Sequence, residues 1–113
     1  MAENKQYITL TQENGSIIIS EDVIGTIVLR ATEEVEGVAG LSSNPKKVWG
    51  KSIRVIVDEK NRLSIDCNIS IFYGQSVVSV AAAVQESVSN AISSMTGVTA
   101  KAVNVNVCGI IRQ

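Results

Sequence analysis

Apolar and polar residues alternate strictly along one segment of the chain, and this alternation constrains the fold more than any other feature. From Leu63 to Ile71 every second residue is Leu, Ile or Cys, and the residues between them are Ser, Asp or Asn. A period of two predicts a strand with one face on a core and the other toward water. The pattern of Ile53–Val57, across the charged turn Glu59–Arg62, predicts the partner strand of a hairpin.

Two other segments carry apolar residues at helical spacing. The first begins after Ser20, an N-cap candidate followed by two carboxylates, and Gly37 and Gly40 offer places for it to stop. The second begins after Ser76 and ends at Thr96-Gly97. The predicted stripes are Ile24, Ile27, Val28, Ala31, Val35 and Val38 for the first helix, and Val77, Val80, Ala81, Val84, Val88, Ala91, Ile92 and Met95 for the second.

The remaining segments read as strands. Tyr7–Gln12 and Ser16–Ser20 flank Glu13-Asn14-Gly15 and predict a hairpin, while Val103–Ile111 alternates as a last strand. The order is (β)β-α-β-β-α-β, which predicts an α+β two-layer sandwich with a mostly antiparallel sheet and two helices on one face. A ferredoxin-like strand order is the leading arrangement. With 113 residues, 45% of them apolar, we expect a single domain over residues 1–113.

Residue types that carry catalysis are scarce. The chain contains no histidine, which removes the commonest general base and the imidazole ligands of most zinc sites. Strand alternation places Cys67 toward the core and Cys108 in the outward register of the last strand, so we expect two reduced thiols that share no metal. Glu33, Glu34 and Glu36 fit a solvated helix face. We therefore predict that the protein is not an enzyme and needs neither metal nor cofactor.

Charge balance and short apolar runs restrict location and partners. Ten Lys and Arg residues oppose eleven Asp and Glu residues, a net charge of −1, so no global basic field attracts nucleic acid or anionic lipid. Met1–Gln6 is polar, and apolar runs such as Val80–Val84 are too short for a signal peptide or a spanning helix. We expect a cytoplasmic protein with no membrane span of its own.

The predicted second helix offers the best candidate for a binding surface. Between Cys67 and Ala100 only Glu86 is charged. Small uncharged side chains cost little to desolvate, and interface cores are depleted in charge. The candidate partner-binding residues of this helix are Ala82, Gln85, Ser89 and Ser93. They favour a protein partner or a homo-oligomer, and the alternative is an ordinary solvated face rich in serine.

A basic segment around Trp49 is the second candidate surface. Lys46, Lys47, Lys51 and Arg54 surround this tryptophan, and the stretch from Leu41 to Lys51 also holds the only proline and reads as a loop. The indole could stack on bases, sit at a membrane surface or anchor a protein, and the favoured interpretation is that it folds back over one end of the core. The alternative function that this segment suggests is a small RNA- or nucleic-acid-binding module.

The chain resembles the alkaline shock protein family of Gram-positive bacteria over about Gly15 to Ile111. The segments that carry the resemblance are Gly15-Ser16-Ile17-Ile18-Ile19-Ser20, Val35-Glu36-Gly37-Val38-Ala39-Gly40, Tyr73-Gly74 and Val103-Asn104-Val105-Asn106-Val107. The resemblance implies a small cytoplasmic protein of cell-envelope homeostasis or stress response, without a catalytic residue to carry over. It also implies association with itself or with a membrane-anchored protein, which would place the chain at the membrane periphery. The predicted function is thus a non-enzymatic scaffold or regulatory protein.

Overall fold

The computed structural model describes residues 7–41 and 53–112. Its helices and strands are β1 (Tyr7–Gln12), β2 (Gly15–Ser20), α1 (Glu21–Glu33), β3 (Val38–Leu41), β4 (Ile53–Val57), β5 (Leu63–Phe72), α2 (Val77–Thr96) and β6 (Ala100–Ile111). Of the basic segment around Trp49, Lys46, Lys47, Trp49 and Lys51 lie outside the described residues, whereas Arg54 is an exposed residue of β4. The predicted hairpins and the final strand are confirmed, and β3 is an additional strand that the sequence pattern did not predict.

β5 is the central strand of the main sheet. β6 pairs with it in parallel along its whole length, from Leu63 opposite Ala100 to Phe72 opposite Ile111. The other edge of β5 is shared by β4, antiparallel from residue 63 to 67, and β3, antiparallel from residue 69 to 71. β1 and β2 form a separate antiparallel hairpin. Because three of these four pairings are antiparallel, the predicted mostly antiparallel sheet is confirmed.

The observed strand order differs from the ferredoxin-like order. That order splits each βαβ unit, so that another strand lies between its two parallel strands. Here β5 and β6 are direct neighbours on either side of α2 in the chain. The strands before α1 pair with each other instead of entering the main sheet, and no strand remains to separate β5 from β6.

Both helices cover the same face of the main sheet. α1 contacts β4, α2 contacts β6, and the two helices contact each other, which gives the predicted two-layer sandwich. The core-facing side chains of β5 are all buried: Leu63, Ile65, Cys67, Ile69 and Ile71. Val80, Val84, Val88 and Ile92 of α2 pack against them. Burying an apolar side chain of this size contributes about 1.5–3 kcal/mol, so this layer contributes strongly to stability.

Each helical stripe departs from prediction near its ends. α1 stops at Glu33, and Val38 belongs to β3 rather than to the helix. Gly37 turns the chain with a φ of +100°, after which β3 satisfies its backbone groups on β5. In α2, Val77 and Met95 are 44% and 70% exposed. They occupy the first and last turns, where the described residues do not cover the stripe.

One asparagine joins the N-terminal hairpin to the main sheet. Asn61, in the turn between β4 and β5, has a φ of +62°, which asparagine tolerates better than most residues. Its Oδ1 accepts a hydrogen bond from the Thr9 N–H at 3.0 Å, and its Nδ2 donates to the Thr9 carbonyl at 2.7 Å. Ile8, beside Thr9, is buried in the core. The hairpin is therefore held by a hydrophobic contact and by two backbone-directed bonds.

The two cysteines lie where strand alternation predicts. Cys67 is buried and Cys108 is exposed, and both are free thiols. The Cys67 Sγ lies 3.7 Å from the Oγ1 of Thr32, a buried residue of α1. Burial raises the pKa of the Cys67 thiol, against a smaller opposing effect of the Thr32 contact. Cys67 is therefore a core side chain in its neutral form.

Asp58 organises the turn between β4 and β5. Its Oδ1 accepts hydrogen bonds from the backbone N–H groups of Lys60 and Arg62, each at 2.9 Å. Its Oδ2 lies 3.1 Å from the Arg62 Nε and 3.8 Å from the Lys101 Nζ. The bonds from Arg62 and Lys60 hold the pKa of the Asp58 carboxyl below its ordinary value, and the backbone bond from Arg62 is the largest cause.

The lowered pKa of Asp58 predicts a specific pH dependence. A depressed folded-state pKa contributes stability above the unfolded value, about 3.9, and this contribution disappears as the pH falls through the folded-state pKa. We expect Asp58→Asn to melt at a lower temperature than the parent near about pH 7, and the gap to close toward about pH 2. Thermal denaturation followed by circular dichroism across this range measures it. Glu59→Gln in the same turn is the control, and a gap that is independent of pH would contradict the assignment.

Candidate functional site

The candidate residues of α2 lie along the flank of the helix that borders β6. Ala82, Gln85 and Ser93 are exposed and Ser89 is partly buried. The Gln85 Nε2 donates a hydrogen bond of 3.0 Å to the backbone carbonyl of Val103 in β6. Spacings of three and four residues keep the four side chains on one side of the helix. The structure therefore brings these four residues together beside an edge of the sheet.

This flank of α2 is almost free of charge. Glu86 is the only charged residue of the helix, and the candidate side chains are small or uncharged. A close approach by another surface would cost little desolvation or side-chain entropy. The flank therefore has the composition of an interface core, although its polar side chains also suit water.

Hydrogen-bond directions identify the backbone groups that β6 leaves free. The Phe72 N–H donates to Gly37, on the β3 side, and the Tyr73 N–H donates to Ile111 of β6. The backbone N–H and C=O groups of successive residues point to opposite edges of a strand, so those of the odd-numbered residues of β5 point toward β6. Cys67 lies opposite Val105 in the parallel register, which directs its backbone bonds to Asn104 and Asn106.

The same alternation turns the intervening residues of β6 outward. Val103, Val105 and Val107 direct their N–H and C=O groups away from β5, and the bond from Gln85 to the Val103 carbonyl agrees with this direction. Within residues 7–41 and 53–112, no strand pairs with this outer edge. We call these three residues and the flank of α2 with Ala82, Gln85, Ser89 and Ser93 the α2–β6 surface.

A row of polar side chains covers the sheet face opposite the helices. The Asn104 Nδ2 donates to the Asp66 Oδ1, and the Asn106 Nδ2 donates to the Asn68 Oδ1, each at 2.9 Å. Both bonds cross from β6 to β5 at residues that are paired in register. These two side-chain bonds tie β6 to β5 across the polar face of the sheet. The described ranges contain no group of three or more His, Cys, Asp or Glu residues arranged to hold a metal ion.

A groove runs along the other flank of α2, between the two helices. The Ser87 Oγ donates a 3.0 Å hydrogen bond to the Ala31 carbonyl and closes its floor. The groove has a volume of about 560 Å³, with Arg30 and Glu34 on its rim and Met95 at one end. Its lining combines apolar and polar side chains. It is a concave surface, distinct from the α2–β6 surface.

The structure tests the sequence-predicted candidates unevenly. It places the α2 residues on one flank, whereas Lys46, Lys47, Trp49 and Lys51 lie outside the described residues. Sequence reasoning missed the outer edge of β6, because alternation shows which face a side chain takes but not whether a strand has a neighbour. One signal pointed to it: no residue from Ala102 to Val107 is charged or proline, the two residue types that usually protect an edge.

No helix in residues 7–41 and 53–112 combines the length and hydropathy needed to cross a bilayer.

Comparison with solved structures shows similarity of fold. A triple variant of a protein titled MamM CTD superimposes with a TM-score of 0.53 and 18% identity, over 79% of this chain and 94% of that chain. A single-residue variant of the same protein gives a TM-score of 0.53 and 17% identity, over 79% and 94% of the two chains. At this identity the likeness is one of fold alone, and it agrees with the α+β architecture.

Comparison with protein sequences shows the family. The uncharacterized protein Spy1535 of Streptococcus pyogenes serotype M6 is 31% identical over 91% of this chain and 84% of its own length. The uncharacterized protein YqhY of Bacillus subtilis strain 168 is 30% identical over 85% of this chain and 77% of its own length. The family model for alkaline shock protein 23, described as having a cell envelope-related function, matches residues 9–112. The chain belongs to this alkaline shock protein family, as its sequence motifs predicted.

Proposed function

We propose that the protein is a non-enzymatic scaffold or regulatory protein of cell-envelope homeostasis, which acts by associating with copies of itself or with another protein. The family supports the envelope context. The observation that carries the binding part is the α2–β6 surface, where a helix flank with Glu86 as its one charge adjoins a strand edge that no strand of residues 7–41 and 53–112 pairs with. In this proposal the protein acts in the cytoplasm and reaches the membrane periphery through a membrane-anchored protein partner.

The titratable groups with shifted pKa values support binding over catalysis. Active sites shift pKa values through desolvation and charge partners placed in a cleft. Here the lowered pKa of Asp58 arises from the hydrogen bonds of a turn, and the raised pKa of Cys67 arises from burial in the core. Both shifts have a structural cause, and neither group lines the groove between the helices.

The proposal predicts that a charge on the α2 flank weakens association. Ala82→Arg places a long cationic side chain where an interface must desolvate it, so we expect the dissociation constant to rise by about tenfold or more. Ser89→Arg is expected to act in the same direction. Sedimentation velocity over a concentration series measures self-association, and pull-down from cell extract measures capture of a partner.

Ala83→Arg is the matched control for this experiment. Ala83 is the next residue of α2, is also exposed, and points about 100° away around the helix. It should leave association as in the parent, while all three variants keep the parental circular dichroism spectrum. If Ala82→Arg and Ser89→Arg associate like the parent, the flank is not an interface and the proposed function fails.

A further inference from the structure

β6 presents an edge that lacks the usual protection against strand pairing. Proteins protect exposed edges with charged side chains, prolines, bulges or short strands. β6 is twelve residues long, its pairing with β5 is irregular at Lys101 and at Cys108, and Lys101 is its one internal charge. Between these two points, Ala102–Val107 forms a regular stretch without charge or proline. Such an edge is suited to pairing with another strand.

The free backbone groups of this stretch are spaced for one kind of partner. In the described part of the chain, the Val103 carbonyl is bonded by Gln85, while the outward groups of Val105 and Val107 have no partner. β3 and β4 both pair with the opposite edge of β5. An extended strand is the ligand that satisfies alternating N–H and C=O groups at this spacing.

The side chains of β6 are complementary to those of an identical strand in antiparallel orientation. With Val105 opposite Val105 of a second copy, Val103 faces Val107 of that copy on the helix side. On the polar side, Asn104 faces Asn106 of the second copy, so the amide rows of two sheets join into one. The regular stretch Ala102–Val107 contains no charged residue, so no like charges oppose each other within it.

The same arrangement brings the two α2 flanks together. Antiparallel pairing of identical edges has a two-fold axis perpendicular to the sheet, so both helix layers lie on the same side. α2 borders β6, and the flank that faces the second copy carries the small side chains of Ala82 and Ser89, with Gln85 and Glu86 between them. A short strand edge alone buries too little area for a stable dimer, and the helix flanks supply the rest.

We infer that the protein forms a two-fold dimer in which the β6 edges of two copies pair antiparallel about Val105, continuing the sheet across the interface. The inference rests on the proposed function, and it names a second copy of this chain as the partner that binds the α2–β6 surface. A closed dimer uses the outer edge of β6 in both copies and leaves no edge there for further addition.

Val105→Pro tests the pairing directly. The Val105 N–H points away from β5, so proline at this position removes a donor of the edge without breaking the bond ladder between β5 and β6. We expect the dimer to dissociate, with a dissociation constant raised by at least about tenfold, and the circular dichroism spectrum to stay parental. Size-exclusion chromatography with light scattering over a concentration series measures the change.

A pair of double variants tests the register without proline. Asn104→Lys with Asn106→Lys opposes two lysine pairs across the two-fold axis and should abolish the dimer, most strongly at low salt. Asn104→Lys with Asn106→Asp opposes lysine to aspartate twice and should retain it. Equal dimerisation of the two double variants would overturn the register and with it the inference.

The outcomes separate this inference from the proposed function. If Val105→Pro keeps the dimer while Ala82→Arg loses it, copies associate through the helix flank and the edge pairing is wrong. If the parent is monomeric at every concentration but captures a protein that Ala82→Arg releases, the second copy is the wrong occupant and the proposed function stands. If neither variant changes any association, both proposals fail.

Discussion

Ile65→Ala is expected to lower the free energy of unfolding by about 3–5 kcal/mol. Ile65 is 0% exposed and lies in the middle of β5, paired with Val55 on one side and Val103 on the other. Its side chain faces the layer between the sheet and the two helices, where close packing leaves little room for the structure to relax into the cavity. Because the total free energy of unfolding of a native domain is about 5–15 kcal/mol, the variant should be close to unfolding at about 37 °C.

Urea denaturation followed by circular dichroism measures this loss, and Ile18→Ala is the matched control. Ile18 is 64% exposed in β2, so the same deletion removes little burial and should cost less than about 1 kcal/mol. Equal losses at the two positions would show that the β5 side chains do not form the centre of the core.

Gly37→Ala is expected to cost about 2–4 kcal/mol, because strain and a steric clash add at one position. Gly37 has a φ of +100°, which L-residues rarely adopt. An added Cβ would lie 2.9 Å from the Val80 Cγ2 and 3.2 Å from the Gln75 Oε1. Val80 is buried, so it cannot move aside freely, and the clash would disturb the contact between the start of β3 and the start of α2.

Gly97→Ala distinguishes backbone strain from the steric clash as causes of the loss of stability in Gly37→Ala. Gly97 is the C-cap of α2 with a φ of +79°, and a Cβ there would meet nothing within 4 Å. It therefore measures backbone strain alone, which we expect to cost about 1–2 kcal/mol. The difference between the two variants in urea denaturation reports the clash at Gly37. If Gly97→Ala is as destabilising as Gly37→Ala, the packing of Gly37 against Val80 is unimportant.

Local patterns predicted much of the fold because they depend on neighbouring residues. The alternation of β5 placed Cys67 in the core, and the alternation of β6 placed Cys108 outside it. Ser20 and Ser76 cap the two helices as expected, since an N-cap needs only a side-chain oxygen ahead of the first turn. Each of these features is decided within a few residues along the chain.

The features that the sequence pattern missed depend on distant residues. Val38 continues the helical spacing of α1, yet it pairs with Ile71 as part of β3. Its backbone bonds are made by a strand more than thirty positions away along the chain, which local periodicity does not encode. Met95 shows the reverse case: it continues the stripe of α2 but is exposed, because no described residue covers that end of the helix.

The features of the candidate site also divide into those that local sequence patterns predict and those that depend on distant residues. The sequence by itself determined that Glu86 is the only charged residue of α2, that Val and Asn alternate in the last strand, and that the strand of Leu63–Ile71 has one apolar face. Only the tertiary structure decided that β6 lies parallel beside β5, that Gln85 reaches the Val103 carbonyl, and that the outer edge of β6 adjoins the α2 flank. Periodicity is a property of adjacent residues and assigns each side chain to a face, whereas strand neighbours are chosen by backbone hydrogen bonds between segments that meet only when the chain is folded.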